Sequence, residues 1–182
     1  MPIYEFEKRK PKFGKGTFIY KSADIIGDVT IGNNCYIGPG ARIRGDYGSI
    51  IIGDDTAVEE NVVIHARPND KTAIGNHVTI GHGSIIHNAT IHDWAIIGMG
   101  AIVSDWADIG KWAVVAEGAL VKNKQKIPEK AIAVGVPAKV ISEISSEYKK
   151  QWTEYKKIYS DLARKRFPQS LKEINFLGSK EK

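Results

Sequence analysis

Ile31-Gly32-Asn33-Asn34-Cys35-Tyr36 runs straight into Ile37-Gly38-Pro39-Gly40-Ala41-Arg42, and Ile97-Gly98-Met99-Gly100-Ala101-Ile102 repeats the pattern further on. Each unit opens on an aliphatic residue, often followed by glycine, and carries a small or β-branched residue at its fifth place. The anchors extend outward as Ile19, Ile25, Ile31, Ile37 and Ile43, then Ile52, Val58 and Ile64, then Ile74 and Ile80. They resume at Ile91, Ile97, Val103, Ile109, Val115 and Val121. A helix repeats near 3.6 residues and a half-buried strand near two, so neither gives recurrence at six. Short strands joined by tight turns do, with the anchor inward and Gly or Asn accepting the turn geometry.

Three units close a triangular coil of about 18 residues, and coils stack at about 4.8 Å. From Phe18 to Val140 the chain resembles the hexapeptide-repeat proteins in this respect. The expected fold class is all-β: a left-handed parallel β-helix of hexapeptide repeats with a C-terminal α-helix. A β-sandwich with glycine-rich turns would not hold one six-residue anchor through so many units. The expected division is a β-helix domain over residues 1–140 and an amphipathic helix and tail over 141–182. Ile144, Tyr148, Trp152, Tyr155, Tyr159 and Leu162 step by three or four and mark one apolar stripe between Ser142 and Arg166. That stripe needs a flat outer face of the prism to cover, on this chain or a neighbour.

The spacing breaks three times: nine residues from Ile43 to Ile52, ten from Ile64 to Ile74, and eleven over the two steps from Ile80 to Ile91. The first two breaks read as short corner loops around Asp46-Tyr47-Gly48 and Arg67-Pro68-Asn69-Asp70. The third, through the Ile85/Ile86 unit, removes one residue near His82 and His87. Irregularities on a rigid scaffold are where function concentrates.

The 182-residue chain is 42% hydrophobic, which suits one globular domain with an appendage. No run is long or apolar enough to span a bilayer, and Met1-Pro2-Ile3-Tyr4-Glu5 lacks the features of a signal peptide. The single Cys35 excludes an internal disulfide framework, fits a reducing, cytoplasmic setting and is expected to serve in packing. The net charge of +5 is concentrated between Ser142 and Lys182, where basic residues alternate with Glu and Asp. That pattern reads as a solvated helix face, and neither nucleic acid nor membrane is an expected partner.

Counting units in threes puts Arg44, Asp46, His65 and His87 on one face, one coil apart, and Glu59 and His82 on the adjoining face. His77 and His92 read as polar surface residues. Side chains on adjoining faces diverge, so one chain does not easily close His65, His82 and His87 around one metal ion. A threefold axis does: one chain offers His65 and His87, its neighbour offers His82, and closed symmetry makes three equal sites in a homotrimer. Three histidines with an open fourth position are the ligand set of a catalytic zinc. Arg44 and Asp46 are expected to pin the interface and orient the site.

Arg44-Gly45-Asp46, Val63-Ile64-His65, Gly81-His82-Gly83 and Ile86-His87-Asn88 resemble, in order and spacing, motifs of the γ-class carbonic anhydrases and their relatives. Those relatives include accessory proteins of phenylacetate and carnitine metabolism. Tyr159-Ser160-Asp161-Leu162-Ala163 is similar to the family's C-terminal helix, so the likeness covers nearly the whole chain. The hexapeptides alone are shared with many acyltransferases; the motifs together are specific. The resemblance implies a homotrimer holding zinc, with ferrous iron or cobalt as alternatives, on His65, His87 and a neighbour's His82. It matches Arg44 and Asp46 to the family's interface pair and Tyr159 to its active-site tyrosine. Two features depart from it. The family usually carries Asn-x-Gln before its first metal histidine, where this chain has Ala57-Val58-Glu59. Its proton-exporting glutamates are replaced by Tyr47 and the short Arg67-Pro68-Asn69-Asp70.

The expected function is metal-dependent reversible hydration of carbon dioxide to bicarbonate, a lyase activity on a small molecule. Glu59, Tyr159, Arg44 and Asp46 are the candidate catalytic group, with Glu59 the one carboxylate the face count sets beside the metal, as a base. Two other readings remain open: acyl transfer to or thioester hydrolysis of coenzyme A derivatives, and a non-catalytic trimeric scaffold stabilised by metal.

Overall fold

The computed structural model describes residues 2–174. Parallel strands form a β-solenoid of about seven turns, closed by one C-terminal helix, as the repeat requires. The anchors stack face by face. Ile25, Ile43, Ile64, Ile86, Val103 and Val121 pair in register along the first face. Ile31, Ile52, Ile74, Ile91, Ile109 and Ile127 line the second. Ile19, Ile37, Val58, Ile80, Ile97, Val115 and Ala133 line the third. Two residues before many anchors stands a fully buried small residue, such as Ala23, Cys35, Ala41, Ala95, Ala101 and Ala113. The prism is filled by one large and one small side chain per unit, which is why the fifth place of each hexapeptide stays small. Burial pushes the Cys35 thiol up to about 11, in keeping with inert packing.

At the corners the residue three before the anchor takes a positive φ. Asn34, Asn61 and Asn88 tolerate this; Trp94, Trp106 and Trp112 do so against their local preference, because the coil fixes the corner. The corner residues His77, Trp94 and Trp112 stack in a column with ring centroids 4.2 and 4.7 Å apart. The Lys149 ammonium caps it 4.9 Å above Trp112. His77 is thus a stacked corner residue, and His92 is a surface partner of Asp108 at 2.8 Å.

The spacing breaks take a different form from the expected loops in one case. Asp46-Tyr47-Gly48 lies inside a continuous strand, Arg42–Ile52, which stays paired with Asp24–Ile31 around the corner. The inserted residues are absorbed by a register shift between Gly27 and Val29. Gly45 permits this: a Cβ there would stand 2.4 Å from the Asp28 carbonyl oxygen. Arg67–Asp70 does form a corner loop. The shortened step runs from Ile86, the buried anchor, to Ile91, so the missing residue falls just after His87.

After the last coil, Ala131–Val134 pairs antiparallel with Lys139–Glu143 on the third face. Ser142 therefore belongs to a strand, and the helix begins only at Ser146, capped by the Ser145 side chain accepting from the Tyr148 N–H. Helix Ser146–Asp161 continues through a π-helical turn, Leu162–Arg166, into Phe167–Ser170. It covers the third face, ending where Phe167 stacks on Phe18 and Tyr36 with centroids 5.1 and 5.6 Å apart. Tyr155, counted in the apolar stripe, is half exposed, while Lys156 beside it is 5% exposed. The end of the expected tail, 175–182, lies outside the described residues. Among the described residues no helix is long and apolar enough to cross a membrane.

Candidate metal centre

Strands Val63–His65 and Ile85–His87 are neighbours on the first face, and His65 and His87 are register partners. Their outward side chains therefore meet: His65 Nδ1 stands 3.2 Å from His87 Nε2. The far nitrogens are held by carboxylates. His65 Nε2 lies 2.9 Å from Asp46 Oδ1, and His87 Nδ1 lies 2.6 Å from Asp105 Oδ1. Ionised carboxylates only accept, so each far nitrogen is an N–H donor. When both imidazoles are neutral the facing nitrogens carry lone pairs, and these repel unless a proton or a metal ion lies between them. Two ligands of a tetrahedral zinc, each about 2.0–2.1 Å from it, stand about 3.3 Å apart, so the pair fits a shared metal.

Both carboxylates are backed by guanidinium groups. Arg44 Nη1 donates to Asp46 Oδ2 at 2.5 Å, and Arg9 reaches the Asp46 backbone carbonyl. Burial acts to raise the Asp46 carboxyl, but the hydrogen bonds from His65 and Arg44 outweigh it and hold the group below the usual carboxylate range. Arg67 grips Asp105 with both arms, Nε to Oδ1 at 2.9 Å and Nη2 to Oδ2 at 2.7 Å. That grip, helped by His87 and opposed by burial, holds the Asp105 carboxyl low. Arg67 also lies over Trp106, whose indole N–H donates to Asp70 at 2.9 Å, while Asn88 donates to Asp70 at 2.7 Å. The corner loop is thereby tied to the residue following His87.

His82 occupies the corner after the third-face strand Thr79–Ile80, away from the other two histidines. Its Nδ1 lies 2.5 Å from Glu60 Oε2, and its Nε2 lies 3.1 Å from Glu59 Oε2. Glu59 also accepts from the His82 backbone N–H at 3.2 Å and is only 4% exposed. The C-terminal helix supplies the wall behind these carboxylates. Tyr159 is pushed up by burial and by its hydrogen bond to Glu59. Tyr36 donates to Glu60 at 2.7 Å. Lys156 Nζ donates to the Val78 carbonyl at 2.5 Å, and burial lowers it to about 7 against the upward pull of Glu59.

The structure thus brings Arg44, Asp46, His65 and His87 into one cluster and Glu59, Tyr159 and His82 into another on the adjoining face. Among the described residues, no group of three or more His, Cys, Asp or Glu of this one chain is arranged to hold a metal. Sequence reasoning missed Asp105, Glu60 and Lys156 and gave Arg67 only a loop. Asp105 had a usable signal, its separation of 18 residues from His87, about one coil. Beside the clusters runs an exposed aliphatic column, Val63, Ile85 and Ile102, in register on the first face and 36–42% exposed.

A family model described as bacterial transferase hexapeptide (six repeats) matches residues 10–45. Another, described as hexapeptide repeat of succinyl-transferase, matches 28–66 and 71–105. The chain is 35% identical over 161 residues to Gamma carbonic anhydrase 2, mitochondrial, of Arabidopsis thaliana, a match covering 85% of this chain and 58% of that protein. It therefore spans less than two thirds of that relative's length. It is 33% identical over 147 residues to Carnitine operon protein CaiE of Escherichia coli O1:K1, covering 81% of this chain and 75% of that one. A hexapeptide transferase family protein from Anaplasma phagocytophilum superposes with a TM-score of 0.85 at 32% identity, covering 90% of this chain and 96% of that one. The chain belongs to the hexapeptide-repeat family whose members include the gamma carbonic anhydrases and CaiE.

Proposed function

We propose that this chain acts as a homotrimeric, metal-dependent hydratase of carbon dioxide, with each metal held by His65 and His87 of one subunit and His82 of the next. The observation that carries the reading is the pair of imidazole nitrogens facing each other at 3.2 Å, the spacing of two ligands on one tetrahedral cation. Zinc is the cation proposed, ferrous iron and cobalt being the alternatives that imidazole donors also suit. When bound, the cation supplies the Lewis acidity that brings the pKa of a coordinated water down towards about 7.

The chain's own residues do the rest. Asp46, backed by Arg44, holds the His65 imidazole in one orientation. Glu60 holds His82 Nδ1, while Nε2 lies 3.1 Å from Glu59 Oε2 and becomes the metal donor only once its proton has left. Glu59 is then the acceptor for the proton released on hydration. Tyr159, whose hydroxyl is pushed up by burial and by the neighbouring Glu59, backs that carboxylate from the C-terminal helix. Burial of the exposed column Val63, Ile85 and Ile102 against a neighbouring subunit supplies the apolar contact that a closed trimer needs. The cytoplasmic placement read from Cys35 is retained only as a reducing compartment, since the plant relative is mitochondrial by name.

A second reading, acyl transfer or thioester hydrolysis on coenzyme A derivatives, draws on the likeness to a hexapeptide transferase family protein. Protein purified without chelator separates the readings. Stoichiometric metal with carbon dioxide hydration that a chelator abolishes supports the proposal. Coenzyme A binding by metal-free protein, without hydration by the loaded protein, would replace it with the acyl reading. Metal uptake that raises stability with neither activity would leave the scaffold.

A further inference from the structure

Among the described residues Asp105, 7% exposed, is the most deeply buried carboxylate after Glu59. A carboxylate is costly to bury unless its oxygens are occupied, and here they are. Oδ1 accepts from His87 Nδ1 and Arg67 Nε, and Oδ2 accepts from Arg67 Nη2. The bidentate guanidinium fixes the plane of the carboxylate and leaves Oδ1 aimed at the imidazole. The second histidine of the pair has a matching arrangement, with Arg44 on Asp46 and Asp46 on His65. Two guanidinium–carboxylate–imidazole chains thus converge on one gap from opposite sides.

The Arg67–Asp105–His87 chain is the more rigidly built. Arg67 is held over Trp106, its backbone N–H donates to Asn88 Oδ1 at 3.0 Å, and Asn88 in turn is fixed to Asp70. Arg67 of the inserted corner loop and His87, just before the shortened step, meet at Asp105.

We infer that Asp105, clamped by Arg67, is a positioning residue that dictates which nitrogen of His87 is offered to the metal and locks that ring in place. The inference rests on the metal reading above. Its consequence in the metal-free protein is that His87 populates one tautomer, protonated at Nδ1. In the loaded protein the anion behind the ring strengthens Nε2 as a donor.

The test uses the full chain and two readouts: zinc affinity by competition with a chromogenic chelator, and the His87 tautomer in metal-free protein from imidazole ¹⁵N shifts. Asp105→Ala should weaken zinc binding by about 10–100-fold and let His87 populate both tautomers. Asp105→Asn, nearly the same shape, keeps an acceptor oxygen and loses the charge, so its affinity should fall between Ala and wild type. Asp108→Ala, which removes the carboxylate beside His92, should match wild type in both readouts. Wild-type zinc affinity and a single His87 tautomer in both Asp105 variants would overturn the inference while leaving the metal reading intact. A wild-type protein that takes up no zinc would overturn the metal reading, and this inference with it.

Discussion

His65 and His87, register partners on adjacent coils, point facing nitrogens at each other across 3.2 Å, and each has its far nitrogen tied to an aspartate. In the proposed reading this pair supplies two of the three metal donors. His82, the third, leaves the prism from the adjoining face with its own pair of glutamates.

Removing a donor tests that division first. His65→Ala, His82→Ala and His87→Ala should each lose most of the bound metal, because a three-donor site loses much of its affinity with one ligand gone. His77→Ala breaks a stack on Trp94 worth about 0.5–1.5 kcal/mol and should lower stability without changing metal content. His92→Ala should change neither. Elemental analysis of the purified variants reads the first quantity and thermal unfolding the second.

The proposed trimer would close through the exposed column of the first face. The wild-type chain of 20.1 kDa should run as a trimer in light scattering. Ile85→Glu places a charge in the middle of that column and should give a monomer that has lost its metal along with its neighbour. A monomeric variant with full metal content would place the site within one chain.

Much of this was legible in the sequence because the repeat converts position into place. Once Ile64 and Ile86 are anchors of one face, His65 and His87 must stack, whatever the rest of the chain does. Asp105 and Arg67 were not read, because their contact crosses two irregular corners and depends on where the shortened step falls. Gly45 turned an expected corner loop into continuous strand through a close backbone approach that only the paired coil reveals. The helix stripe misled for a different reason. Its inward positions run Tyr148, Trp152, Lys156, Tyr159, Ala163 and Phe167, and a lysine is not counted in an apolar periodicity.

Lys156 gives a pH signature. Its folded-state value, about 7, lies below the ordinary 10.5 because burial disfavours the ammonium. Between those values the unfolded chain binds a proton that the folded chain does not. This residue's penalty on stability is therefore full below about pH 7 and is relieved as pH rises towards 10.5. Lys156→Met abolishes the penalty. Its stability relative to wild type should fall as pH rises from 7 to 9, by up to about 1.4 kcal/mol per pH unit. Denaturant unfolding at fixed protein concentration measures it, and parallel pH profiles would contradict the assignment.

Glu59 stands where the related family usually carries an amide. If it accepts the proton of hydration, Glu59→Gln should retain metal and lose about a hundredfold or more in turnover. A rise in turnover would instead mean that the charge hinders the site. Stopped-flow hydration assays on protein of known metal content distinguish the two.

Complementation between two ligand variants asks whether each site is shared between subunits, as proposed. His65→Ala and His82→Ala are each metal-poor alone; they are unfolded, mixed and refolded, and the mixed trimers are isolated by mass. Wherever a His82→Ala chain supplies His65 and His87 and the next chain supplies His82, one intact site returns. Head-to-tail closure gives every mixed trimer one such junction. Shared sites should return about one metal ion per mixed trimer; mixed trimers that stay metal-free would rule out sharing.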